Sequence, residues 1–152
     1  MALSFLTMTD RHHELHVLGM MRELYGDEGA ETNANPDTFP ATIDRLLAEP
    51  SRGRIVLFMR DDAVCGYGLL IPYWSNEFGG TILFVDELVV EKECRRQGIA
   101  RAFFAFLERE RPFESIVLAL EVVPENTRAR ALYESMGFAE RHPRMMTRRL
   151  NR

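Results

Sequence analysis

The sequence predicts an α/β fold in one domain spanning residues 1–152, a mixed sheet with helices on both faces. Three observations predict it. Short apolar runs alternate with amphipathic stretches in the order β-α-α-β-β-β-α-β-α-β. Residues 81–123 read as a strand, a helix and a second strand, the unit that builds a parallel pair. The chain has 152 residues, 46% of them hydrophobic and 28% charged, which suits a single domain with its own core.

Each element has a local reason. Residues 4–9 alternate weakly and form a first strand. Thr9-Asp10 offers an N-cap, and Leu15, Leu18, Met21 and Leu24 follow at helical spacing to an end near Gly26. Residues 27–36 are a polar loop. A second helix opens at Asp37-Thr38 and carries Phe39, Ile43, Leu46 and Leu47 on one face. Residues 54–60 and 63–73 are strands joined by Asp61-Asp62, a hairpin signal. After a loop over residues 74–80, residues 81–90 are apolar on both faces and make a central, covered strand. A third helix runs from about Gly98 to Arg111, with Ile99, Ala102, Phe103, Phe106 and Leu107 on one face, and stops at Pro112. Residues 115–123 are another buried strand. A fourth helix near residues 126–136 carries Ala129, Leu132, Tyr133 and Met136 and ends at Gly137. The tail supplies a further strand around residues 145–150, and its arginines (141, 144, 148, 149 and 152) suit a solvated edge.

Several functional classes are excluded by the same residues. No apolar run approaches the roughly 20 residues of a membrane helix, and the start of the chain has no signal-peptide pattern. Cys65 and Cys94 have no metal, redox or disulfide-framework spacing, so a reduced, cytoplasmic protein is expected. The net charge of −4 argues against nucleic acid as a partner. Lys92 is the only lysine. His12, His13 and His16 suggest a metal, but His13-Glu14-Leu15-His16 is one residue short of the His-Glu-x-x-His pattern, and no metal site is expected. A phosphate-binding P-loop and a Gly-x-Ser-x-Gly elbow are both absent from the sequence.

The chemically informative stretch is Val90-Glu91-Lys92-Glu93-Cys94-Arg95-Arg96-Gln97-Gly98-Ile99-Ala100-Arg101. A buried strand ends, a charged turn follows, and a helix begins. A helix N-terminus offers free N–H groups and a positive dipole end to a phosphate. Gly98 and Ala100 allow close approach, while Arg95, Arg96 and Arg101 supply charge.

Arg95-Arg96-Gln97-Gly98-Ile99-Ala100 resembles the Gln/Arg-x-x-Gly-x-Gly/Ala motif of the GNAT superfamily of N-acetyltransferases. Asn126 and, seven residues later, Tyr133 in Leu132-Tyr133-Glu134-Ser135-Met136-Gly137-Phe138 match a second feature of that family. The resemblance covers essentially the whole chain and implies a mostly antiparallel sheet with acetyl-CoA as cofactor. By the same resemblance, strand 81–90 splays from strand 115–123 and the pantetheine arm lies in the gap, on backbone groups of Leu88, Val89 and Val90. The pyrophosphate sits at Arg96, Gln97, Gly98, Ile99, Ala100 and Arg101, Asn126 bonds the cofactor arm, and Tyr133 points at the thioester sulfur.

Such a reaction needs a neutral amine, a stabilised oxyanion and a protonated leaving thiolate. An alkylamine of pKa about 10.4 is protonated at pH 7, and freeing its base form costs roughly 4 to 5 kcal/mol. Asp86 and Glu87 interrupt an apolar central strand, where unpaired charge is costly, so they are the candidate bases. Strict alternation points them to opposite faces, so only one easily faces the substrate; resemblance to the polyamine-acetylating branch of the family implies Asp86, and a β-bulge would exchange the faces. A strand N–H near Leu88 can serve the oxyanion. Tyr133 stays protonated at pH 7 and can donate to the sulfur. Direct attack in a ternary complex needs neither cysteine.

Acidic residues expected on the acceptor side are Asp27, Glu28, Glu31, Glu77, Asp86 and Glu87, which would attract a cationic amine. The stretch Val85-Asp86-Glu87-Leu88-Val89-Val90 is similar to the spermidine/spermine branch of the family, which implies a small diamine or polyamine acceptor and a homodimer. A protein N-terminus or lysine, an aminoglycoside or an amino-acid-like amine as acceptor, and a non-catalytic acyl-CoA-binding module, are the alternatives.

Overall fold

A strand that is apolar on both faces belongs in the middle of a sheet, and Ile55 to Met59 are all buried. They lie in the second strand of a five-stranded sheet. The computed structural model describes residues 2–27 and 32–151, in two compact units, Met1–Glu121 and Val122–Arg152. The sheet belongs to the first unit. Its strands β1 (Leu3–Thr7), β2 (Arg54–Arg60), β3 (Ala63–Ser75), β4 (Gly80–Val90) and β5 (Val117–Leu120) stand side by side in chain order. The β1–β2, β2–β3 and β3–β4 pairs are antiparallel, and β4–β5 is parallel. The mixed, mostly antiparallel sheet is therefore as the sequence predicts.

Helices α1 (Glu14–Asp27) and α2 (Phe39–Ala48) pack on one face. Val17, Met20, Met21 and Ile43 join Ile55, Leu57, Met59, Tyr67, Leu69 and Val89 in one apolar cluster. The other face receives α3 (Ile99–Glu110). Phe103 lies 4.6 Å from the Phe58 ring and 5.5 Å from Phe5, and Phe106 lies 5.1 Å from Phe5. Gly68 of β3 makes the Phe103 contact fit, because a Cβ there would stand 2.5 Å from the ring. Helix α4 (Thr127–Ser135) belongs to the second unit.

Boundaries differ from expectation where side chains redirect the backbone. The first helix starts at Glu14, three residues later than the Asp10 cap implied, because the Asp10 carboxylate accepts from the His12 amide at 2.9 Å in a turn ahead of it. The loop expected over residues 74–80 is shorter, since Trp74 pairs with Thr81 and Ser75 with Gly80. The strand expected over residues 115–123 is only four residues long, and a 3-10 turn at Pro112–Glu114 precedes it. The strand expected over residues 145–150 does not form. Met145 and Met146 are adjacent and three polar residues follow, so no alternating apolar stripe exists to hold it against a sheet; Met145, Met146 and Leu150 are exposed.

Replacing Gly68 by Val should push Phe103 out of its seat and lower stability by about 1–3 kcal/mol. A urea midpoint unchanged from the parent protein would show that this seat tolerates a side chain.

Candidate active site

The β4–β5 pair is short by construction. Ile82, Leu83, Phe84 and Val85 face Val117, Leu118, Ala119 and Leu120, and there the pairing ends, although β4 runs on to Val90 against β3. The register explains the parting. Leu70 faces Val85 and Leu69 faces Glu87, so Asp86 is an extra residue in β4, a bulge. A bulge bends its strand and increases its twist. Beyond it, the β5-side edge of β4 has no strand partner among the described residues. Backbone polar groups on such an edge need partners, and an extended ligand arm can supply them as a strand would.

The bulge separates two adjacent acids. Glu87 is buried, 8% exposed, and receives hydroxyl hydrogen bonds from Tyr25 and Tyr67. Asp86 is exposed at the fork where β4 leaves β5. Its carboxyl is held above the usual aspartate range, first by desolvation and then by the negative charge of Glu121. Glu121 directly follows Leu120, the last β5 residue paired to β4, so the two acids flank the fork. Glu121 is the site residue that sequence reasoning missed. A signal for it was present: each strand of the parallel pair is apolar up to an acid, Val85-Asp86 and Leu120-Glu121.

The chain then turns into α3. Glu91 returns its amide to the Cys65 carbonyl at 3.0 Å, a 3-10 turn spans Lys92–Cys94, and Arg96 and Gly98 both take left-handed backbone angles, φ 62° and 76°. Gly98 is the N-cap of α3, and no side chain caps that terminus. A Cβ built on Gly98 would meet nothing within 4 Å. An uncapped helix start, reached through a left-handed turn and opening on empty space, is a cradle of backbone N–H groups suited to a pyrophosphate.

The arginine and glutamine side chains of the motif divide their tasks. Arg95 Nε donates to the Val90 carbonyl at 2.8 Å, and Gln97 Nε2 donates to the Glu93 carbonyl at 3.1 Å while its Oε1 accepts from Arg60. Arg95 and Gln97 thus shape the turn. Arg96 and Arg101 are exposed beside the cradle, while Ile99 is buried and anchors the helix below it.

In the second unit, Asn126 caps α4 by accepting from the Ala129 amide at 3.2 Å. Tyr133 lies on α4 with its ring edge-on to Phe138 at 5.9 Å, and burial pushes its phenol above the ordinary tyrosine range. It therefore carries its proton throughout the neutral range.

Other expected site residues lie elsewhere. Glu77 is exposed in the turn between β3 and β4. Six strand residues separate the start of β4 from Asp86, about 20 Å at the rise of a strand, so Glu77 does not join the fork. The Asp27 side chain, Glu28 and Glu31 lie outside the described residues. His16 pairs with Glu91, and His12 packs edge-on against His13. Among the described residues, no group of three His, Cys, Asp or Glu is placed to hold a metal ion, and no helix is long and apolar enough to cross a membrane.

Comparison with known proteins gives the family and the fold. Residues 18–138 match the acetyltransferase (GNAT) family. The chain belongs to that family and is an acetyl-CoA-dependent N-acetyltransferase. Among solved structures it is similar to a possible acetyltransferase from Clostridium difficile 630, with 20% identity, full coverage of both chains and a TM-score of 0.82. It is also similar to aminoglycoside N-acetyltransferase AAC(6')-Iy in complex with CoA, with 18% identity, 97% and 95% coverage and a TM-score of 0.78. The same enzyme in complex with a bisubstrate analogue, CoA-S-monomethyl-acetylneamine, covers 99% of this chain and 100% of that one at 18% identity and a TM-score of 0.78. At these identities the likeness concerns the fold. Among curated proteins, no sequence matches this chain.

A side chain at Gly98 meets two obstacles, the positive φ and the loss of open space over the α3 amides. Gly98→Trp should abolish acetyl-CoA binding measured by calorimetry while the fold survives. A folded variant with the parent affinity would move the pyrophosphate elsewhere.

Proposed function

We propose that the chain transfers acetyl from acetyl-CoA to a primary amine of a small cationic acceptor, by direct attack in a ternary complex. The single observation that carries this reading is the fork, where β4 leaves β5 with a backbone edge on one side and the carboxylates of Asp86 and Glu121 at the crotch. Two negative charges attract an ammonium. Two of the similar structures described above belong to an enzyme of aminoglycosides, which are polycationic amines. The sequence likeness to the polyamine branch points to the same chemistry, and the homodimer it implies belongs to this proposal.

Each part of the site has one task. The α3 cradle at Arg96, Gly98, Ala100 and Arg101 holds the pyrophosphate, and the β4 edge at Leu88, Val89 and Val90 aligns the arm. Asn126, whose Oδ1 is used by the α4 cap, offers its amide N–H₂ to that arm. Acetyl-CoA supplies an acyl group on a thiol of ordinary pKa. Asp86 takes a proton from the ammonium, directly or through water, and the freed nitrogen forms a C–N bond to the acetyl carbon. A β4 amide near Leu88 stabilises the oxyanion. The C–S bond then breaks, Tyr133 gives its hydroxyl proton to the departing thiolate, and the second proton shed by the acetylated nitrogen returns to the Tyr133 oxygen, leaving the amide, the free thiol and a protonated Asp86. Residues 1–152 are read as a single domain, and the family match spans residues 18–138.

Thiol release should be assayed with spermidine, neamine, lysine, a lysine-containing peptide and a peptide N-terminus. The polycations should give the highest kcat/KM. A peptide preference would replace the small-molecule acceptor, and acetyl-CoA binding with no transfer to any amine would leave a binding module.

Tyr133→Phe keeps the ring and removes the proton, so kcat should fall about 10²- to 10⁴-fold with acetyl-CoA affinity retained. Full turnover would make the tyrosine a packing residue.

Asp86 must be ionised to act. Because its carboxyl is raised by desolvation and by Glu121, the acid limb of kcat/KM should lie above the ordinary carboxylate range, with activity lost as pH falls through it. Glu121→Gln removes one raising charge and should move that limb to lower pH. A limb that stays put, or moves up, would remove Asp86 from this role.

A further inference from the structure

The amine chemistry leaves Glu87 without a task, although Glu87 is the more elaborately held of the two acids. Tyr67, fully buried on β3, donates its hydroxyl to Oε1 at 2.6 Å, and Tyr25, in the last turns of α1, donates to Oε2 at 2.5 Å. Each carboxylate oxygen thus receives one short phenol hydrogen bond. The Tyr25 ring in turn leans on Phe39, the first residue of α2, at 5.3 Å between centroids. Three strands and helices, β3, β4 and α1, therefore converge on one buried carboxylate immediately after the bulge residue Asp86.

Burying a carboxylate is costly even when it is hydrogen-bonded, and an apolar side chain would fill such a position at less expense. Specificity of register is what the charged group adds. If the bulge moved one residue along β4, Asp86 would pair with Leu69 in the core position and Glu87 would become the extra residue at the fork. An aspartate in the core position is one methylene shorter than the glutamate that now meets both phenols. The two hydroxyls therefore discriminate between the registers.

We propose that Tyr25, Glu87 and Tyr67 form a positioning clamp for amine acetylation, holding the β4 bulge in the register that presents Asp86 at the fork and fixing the end of α1 to the same point. The clamp rests on the reading of the fork as the place where the amine loses its proton. In the first unit, the titratable groups whose charge couples to Asp86 are Glu121 after β5 and Tyr67 on β3. The proton therefore leaves the amine to Asp86, and Glu87 contributes through geometry.

The test compares Tyr25→Phe, Glu87→Gln, Glu87→Ala and Asp86→Asn, using the amine with the highest kcat/KM in the panel above. Tyr25→Phe removes one hydrogen bond to a charged group and should lower kcat/KM for that amine about tenfold, with acetyl-CoA affinity and the pH of the acid limb unchanged. Glu87→Gln can still meet one phenol as acceptor and one as donor, so it should retain more activity than Glu87→Ala and keep the limb. Disappearance of the limb in Glu87→Gln would make Glu87 the base and overturn the clamp. Parent kcat/KM in Tyr25→Phe would also overturn it, whatever the change in thermal stability. Asp86→Asn separates the two levels. A lost limb there with an inert Tyr25→Phe removes the clamp alone, and a surviving limb removes the base assignment beneath it.

Discussion

A strand in the middle of a sheet has two edges to satisfy, and β4 satisfies the second for only four residues. Most features of the site follow from that parting. Asp86 adds a residue to β4 at the point where β5 stops pairing, so the strand bends and its far edge opens. The open half of β4 is still held from beneath by β3, where Gly66 and Gly68 face Val90 and Leu88. Gly68 lets Phe103 settle on the sheet, which brings α3 close. The connection between them is short, and Arg95 ties it to the last carbonyl of the strand. The backbone edge and the helix start thus belong to one corner of the first unit, which suits a long ligand with an anionic middle.

The same bulge explains why two neighbouring acids can have different fates. One is exposed beside a second carboxylate and is kept a reluctant acid by desolvation and repulsion. The other is buried and satisfied by phenols. Acid pairs in a strand ordinarily differ only by the face they point to. Here the extra residue changes the register as well, so one acid meets the fork while its neighbour pins the backbone. Tyr67 shows the reciprocal effect, its phenol driven upward by burial and by the Glu87 charge, so it remains a donor.

The fold was legible in the sequence because its signals are local. The Phe39, Ile43, Leu46 and Leu47 face, the Asp61-Asp62 hairpin and the Pro112 stop each act within a few residues, and all are in the structure. The Gly98 helix start was legible for the same reason. Less was legible where distant groups decide. Glu121 was missed because its meaning depends on pairing with a strand more than thirty residues away. Glu77 was grouped with the acids by its charge and its loop ahead of the central strand, and it stands at the other end of β4 from Asp86. The Arg95 and Gln97 side chains also bond back into the turn, which a motif does not show because side-chain direction is invisible in it. The tail was read as a strand from composition, but no alternating stripe supports it there.

The central claim is that the open edge of β4 and the start of α3 form one acetyl-CoA site. Amide hydrogen exchange with and without acetyl-CoA reads both halves at once. Exchange should slow together at Leu88, Val89 and Val90 and at Ile99, Ala100 and Arg101, while the β1–β2 pair is unaffected. Protection confined to one half, or appearing on the α1–α2 face instead, would contradict the claim.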